Sequence, residues 1–213
     1  MDYSTLVAAK NTPGSVCNWI NRDTTDGAII LAEAETFIFT RLRHWRMKAE
    51  VAAFMLYGQE YIDLPPDFID VRELRLTGDY NTRLRRGDER SVQARYNYDV
   101  NGSRVLETPG WYYVGASGLQ LDTVPDQEYD YLLTYYQLPA PLSVSNQTNW
   151  LTTFYPRLVR TACMTLAVEF EKEAGQGNFD RTYWEQMFEA ERQEIQAKSD
   201  IVERASDAEI EFA

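Results

Sequence analysis

Between residues 24 and 45 the apolar positions Ile30, Ala34, Phe37, Ile38, Leu42 and Trp45 recur every three or four residues, the period of a helix with one buried face. Asp23 or Thr24 stands ahead of it as a cap. Arg41, Arg43, Arg46 and Lys48 cluster at its far end, where positive charge suits the helix dipole. Upstream, residues 6–9 form a short turn, Thr12-Pro13-Gly14 breaks it, and Ser15 caps a short helix carrying Val16, Trp19 and Ile20.

From residue 48 the period changes to two. Residues 48–56 and 59–64 are expected to pair as a hairpin around Tyr57-Gly58, stopped by Asp63-Leu64-Pro65-Pro66-Asp67 because proline cannot donate to a ladder. Residues 68–76 make another strand. The stretch from 79 to 96 is polar and arginine-rich, with a short helix starting at Gly87 or Asp88. Turns fall at Asn101-Gly102 and Pro109-Gly110. Residues 111–116, 119–123 and 128–136 are expected to form a three-strand meander, with Tyr129, Tyr131, Leu133 and Tyr135 on one face of its last strand.

The helical period returns at Pro156, a residue suited to a first helical turn. Its stripe is Val159, Ala162, Cys163, Leu166, Ala167 and Phe170, and Gly175-Gln176-Gly177 ends it. A final helix starts near Asp180 and runs past Glu203 on Trp184, Met187, Phe188, Ile195 and Val202, antiparallel to the one before it. The predicted fold is therefore α+β: a helical bundle of N- and C-terminal helices with an inserted antiparallel β lobe. Residues 1–47 are the first helices and 48–137 the lobe. Residues 138–205 are a bridge and helical hairpin, and 206–213 a tail too polar to fold alone.

The bridge joins lobe to bundle. It carries Pro139 and Pro141, which limit its freedom, then Asn146, Asn149 and Trp150, and ends at Pro156. Asn side chains satisfy a turning backbone locally, and Trp150 is expected to plug the end of the bundle.

Charge narrows the function. The net charge is −12, and residues 169–213 hold 13 acidic against 5 basic side chains, a net of −8. Gripping nucleic acid through its phosphates needs clustered cations, so specific DNA binding is not expected. Arg83, Arg85, Arg86, Arg90 and Arg95 are diluted by Asp79, Asp88 and Glu89, which points to a salt-bridged protein interface. The 14 tyrosines suit either large protein contacts or the sheet's own core.

Chemistry is sparse. His44 is the single histidine and has no triad setting. Cys17 and Cys163 are far apart and are expected to be buried reduced thiols. No metal-ligand spacing occurs, and no cofactor is expected. No apolar run is long enough to span a membrane, and residues 1–11, with no basic start and no apolar run, are not expected to act as a signal peptide. Paired carboxylates keep a glycosidase as the alternative, yet Glu33 and Glu35, like Glu169, Glu171 and Glu173, lie two apart, a spacing that does not share a helix face.

The order of pieces carries a resemblance. It runs Tyr61-Ile62-Asp63-Leu64-Pro65-Pro66-Asp67-Phe68, then Pro109-Gly110-Trp111-Tyr112-Tyr113, Leu119-Gln120-Leu121 and Val124-Pro125-Asp126. Tyr135-Tyr136-Gln137-Leu138-Pro139, Leu142-Ser143, Asn146, Thr148-Asn149-Trp150-Leu151 and Tyr155-Pro156 follow. Together these resemble the head-to-tail adaptor (connector, or neck) proteins of tailed bacteriophages, most of all those of short-tailed phages. The resemblance implies a non-enzymatic virion protein, made in the bacterial cytoplasm. It implies a ring of twelve copies between the portal protein and the tail nozzle or tail tube, lining the channel for double-stranded DNA without binding it specifically. Within it, Arg83, Arg85, Arg86 and Arg90 are expected to face acidic groups of a neighbouring subunit, for example on its final helix. Ile210 and Phe212, on one side of an extended tail, are expected to dock on the portal.

Overall fold

The computed structural model describes the backbone of residues 1–78, 81–174 and 181–211, with side chains in those ranges other than 169–174 and 206–211. The fold is α+β. The chain divides into two compact units, one made of Met1–Met47 with Leu138–Ala213 and the other of Lys48–Gln137.

The helical unit begins with α1 (Tyr3–Leu6) and α2 (Val16–Ile20), the second capped by Ser15, whose hydroxyl accepts from the Asn18 amide at 3.0 Å. Next comes α3 (Thr24–Arg41), capped by Asp23, whose carboxylate accepts from the amides of Thr25 and Asp26. Gly27 lets α2 approach α3, because a Cβ there would stand 2.2 Å from the Cys17 sulfur. After the bridge come α5 (Trp150–Phe154), α6 (Pro156–Ala174) and α7 (Arg181–Glu211).

Helix α6 is buried on nearly every side along its described part. Leu158, Val159, Ala162, Cys163, Met164, Ala167 and Val168 are all inside. Thr161 and Thr165 are buried with them at little cost, since each hydroxyl bonds a carbonyl of the preceding turn. Helix α7 lies against α6 through the Arg157–Glu191 ion pair and against the end of α3 through Phe37–Phe188, with ring centres 4.8 Å apart. Past α3, the Gln196 amide bonds both the N–H and the C=O of Arg43, and the Trp45 N–H donates to the Ser199 hydroxyl at 2.8 Å.

The expected stripe on α7 needs two corrections. Val202 is exposed, while Ser199 is wholly buried and Glu203 nearly so, because the stripe continues from Phe188 and Ile195 at a spacing of four. The segment 206–211, expected as extended tail, continues α7 as helix. Extending an existing helix adds a hydrogen bond per residue without a new nucleus, which even a polar sequence tolerates. Gly175-Gln176-Gly177 and Phe212 lie outside the described residues, and of Ile210 only the backbone is described.

The β unit contains β1 (Lys48–Met55), β2 (Tyr61–Ile62), β3 (Phe68–Leu76), β4 (Arg85–Arg86), α4 (Glu89–Gln93), β5 (Trp111–Gly115), β6 (Gly118–Leu121) and β7 (Tyr129–Gln137). One sheet has the order β1-β7-β3 and the other β2-β6-β5-β4. Two sequence expectations fail here. Strands β1 and β2 do not form a hairpin: β1 pairs along its length with β7, and β2 pairs with β6. The meander also breaks, since β5 and β6 pair while β7 crosses to the other sheet. The physical reason is shared. Met55, Tyr129, Tyr131, Leu133 and Tyr135 fill one core with Ile62, Tyr112, Leu119 and Leu121 of the opposite sheet, and two facing layers bury more apolar surface than one continuous meander. These core tyrosines are therefore not contact surface. Gly118 adopts φ +134°, and a Cβ there would sit 2.3 Å from the Ile62 carbonyl oxygen, so the β5–β6 turn presses directly on β2.

Candidate functional site

The bridge is held down by one buried carboxylate. Glu35 occupies the inner face of α3 between Leu31, Ala34 and Ile38. Its Oε2 accepts from the Leu142 backbone N–H at 3.0 Å, and its Oε1 accepts from the Asn149 side-chain amide at 3.0 Å. Burial pushes the Glu35 carboxyl above its ordinary range, and these two hydrogen bonds oppose the shift.

Each bridge residue has a local task. The Asn146 amide donates to the carbonyls of Ala140 at 3.0 Å and Pro141 at 2.9 Å, closing the loop that Pro139 and Pro141 stiffen. Asn146 and Ser143 also exchange backbone hydrogen bonds. Asn149 forms a capping box with Thr152 at the start of α5. One side chain thus caps a helix through its oxygen and grips Glu35 through its nitrogen. Tyr155, the residue before Pro156, leaves the helical region at ψ 49°, and α6 then starts on the proline. The Gln147 carbonyl accepts from the Tyr3 N–H, adding α1 to the same seat.

Beside Asn149, the Trp150 ring stacks on His44 with centres 4.6 Å apart at 16°, and Tyr155 stands edge-on to both. His44 is 1% exposed, and its pKa is lowered to about 4, first by burial and then by the Arg46 charge. Its Nδ1 accepts from the Arg46 N–H at 3.2 Å, so the proton of the neutral ring sits on Nε2, 3.4 Å from the Tyr155 hydroxyl. Arg46 covers the outside, its guanidinium 4.5 Å from the Trp45 ring centre and 4.3 Å from that of Phe154.

This is an architectural site. Both Glu35 oxygens are occupied by donors, and Glu33, on the outer face, is exposed, so the pair offers no cleft with a free acid and base. The side chains of Glu169, Glu171 and Glu173 lie outside the described residues. Sequence reasoning set Glu35 aside as half of a badly spaced pair and His44 as a lone histidine. A readable signal existed: a glutamate inside the apolar stripe of α3, where unpaired charge is costly.

In the β unit the expected arginines gather on one side. Arg83 forms an antiparallel bridge with Arg75, Arg85 and Arg86 make β4 beside β5, and Arg90 lies on α4. Trp111 organises them: the Arg95 guanidinium is 4.0 Å and that of Arg85 5.5 Å from its ring centre. Arg86 pairs with Asp70 at 2.8 Å. Among the described residues no group of three His, Cys, Asp or Glu could hold a metal ion, and no helix is long and apolar enough to cross a membrane.

No curated protein matches the chain. A family profile described as SU10 adaptor protein matches residues 1–208, nearly the whole length. With a match of that extent, the chain belongs to the SU10 adaptor protein family, a head-to-tail adaptor family of tailed bacteriophages.

Proposed function

We propose that the protein is a structural component of the virion neck that assembles as a ring, twelve copies by the family pattern, between the portal and the tail nozzle or tail tube, around the path of the DNA. The observation that carries this reading is the family match across residues 1–208. The net charge of −12 supports it, because a ring of such chains repels DNA and lets it slide. The Glu35-anchored bridge fixes the backbone where the chain enters the helical unit, and no catalytic step is assigned. Arg83, Arg85, Arg86 and Arg90 contact a neighbouring subunit. The C-terminal segment with Ile210 and Phe212 contacts the portal. That contact begins beyond Glu203, because Ser199 and Glu203 are buried.

DNA-filled capsids lacking only this chain test the proposal. Adding the purified protein restores stable tail attachment if it is the adaptor; capsids that acquire tails equally well without it overturn the reading.

A further inference from the structure

The β unit is finished on one side and open on the other. On the finished side the segment before β4 ties the two sheets together: the Leu84 N–H donates to the Leu74 carbonyl, and the N–H groups of Arg85 and Gly87 donate to the carbonyls of Gly110 and Tyr112. On the other side stand the edge strands β1 and β2. Strand β1 spans eight residues, all paired with β7, and among the described residues no strand lies on its other flank. It contains no proline and no bulge, the usual devices that blunt an edge. Its inward residues Ala49, Val51 and Ala53 reach the core yet stay only half-buried, so the core is incompletely covered along this seam.

The two sides differ in charge. The finished side exposes Arg83, Arg85, Arg86, Arg90 and Arg95, of which only Arg86 reaches a carboxylate among the described residues. The open side exposes Glu50, Glu60 and Asp63; Glu60 pairs with Arg104 at 3.4 Å, and Glu50 and Asp63 have no cationic partner among the described residues. The final helix, by contrast, has its own partners for Glu185, Glu189, Glu191 and Glu194, namely Arg181, Arg192, Arg157 and Lys198.

We infer that the β unit binds a second copy of itself head to tail, the arginine side of one copy against the open β1–β2 side, with Glu50 and Asp63, of the next. This rests on the ring reading above and names the contact that closes it. Two different surfaces meet at each junction, as a ring requires. The arriving arginines neutralise the two unpaired acids, and the arriving backbone shields the open edge of β1.

Charge reversal on the full-length chain tests this, with assembly followed by native mass spectrometry alone and on portal rings. Arg83→Glu with Arg85→Glu, or Glu50→Lys with Asp63→Lys, each sets like charges face to face and weakens assembly by about tenfold or more. Mixing the two reversed chains restores rings, in which the two kinds alternate, since each mixed junction again joins opposite charges. Glu50→Cys combined with Arg85→Cys gives a second readout. The two positions lie on opposite edges, with β7 and β3 between them, about 10 Å or more apart, too far for a disulfide within one chain. Oxidation then links successive copies into a ladder. If wild-type rings form and neither reversal changes them and no ladder appears, the paired edges are wrong while the ring reading stands. If the wild-type chain stays monomeric alone and on portal, the ring reading itself fails, and this contact with it.

Discussion

Glu35 shows how much of the bridge rests on one side chain. Glu35→Gln keeps an acceptor for Asn149 but turns an N–H toward the Leu142 N–H, leaving buried donors unpaired at a cost of about 1–3 kcal/mol. Asn149→Ala removes the α5 cap as well as the Glu35 contact, and about 2 kcal/mol of stability is expected to go with it. Urea unfolding measures both; values within a few tenths of wild type would show that the bridge is not held here. The two buried ionisable groups pull stability in opposite directions with pH. The folded pKa of Glu35 is raised, so its contribution is fully present below the unfolded value of 4.5 and is lost as pH rises through the folded pKa. His44 is lowered from 6.5 to about 4, so its contribution is present above 6.5 and is lost as pH falls toward 4. Because His44 is the chain's only histidine, its ring proton resonance is unambiguous in NMR. It is expected to titrate near pH 4, and a midpoint near 6.5 would mean an open, hydrated ring.

At the level of elements, helices were legible and strand partners were not. The α3 stripe from Ile30 to Leu42 and the caps at Ser15 and Asp23 are local signals, and the structure places them as the sequence reads; Trp45, expected to end that stripe, lies beyond α3 and is exposed. Pairing of β1 with β7 joins residues about eighty positions apart and leaves no local mark, whereas Tyr57-Gly58 between two apolar runs imitates a hairpin. The Glu35 anchor was half legible: the stripe position was visible, but the donors at Leu142 and Asn149 come from more than a hundred residues away. Trp111 as the organiser of the arginines left no signal beyond being aromatic. The end of α7 carries its own prediction. The proposal gives residues 206–213 a contact with the portal and no part in the helical core, so on their removal the thermal midpoint is expected to move by no more than about 2 °C. Binding to portal rings is expected to drop by tenfold or more. Unchanged portal binding would assign that contact to another surface.

For the whole molecule, the proposed place around the DNA path carries an expectation about charge. The isolated chain is expected to show no measurable affinity for duplex DNA at physiological salt, because its five clustered arginines are outweighed by a net charge of −12. Tight binding that falls steeply with salt would contradict that. The central claim, a ring seated on the portal, is tested most directly by the mass of the complex formed when the purified chain is mixed with purified portal rings. The account predicts one discrete species whose added mass is a whole-number multiple of 24.7 kDa, twelve if the family pattern holds. A chain that remains at 24.7 kDa while the portal mass stays unchanged would contradict it.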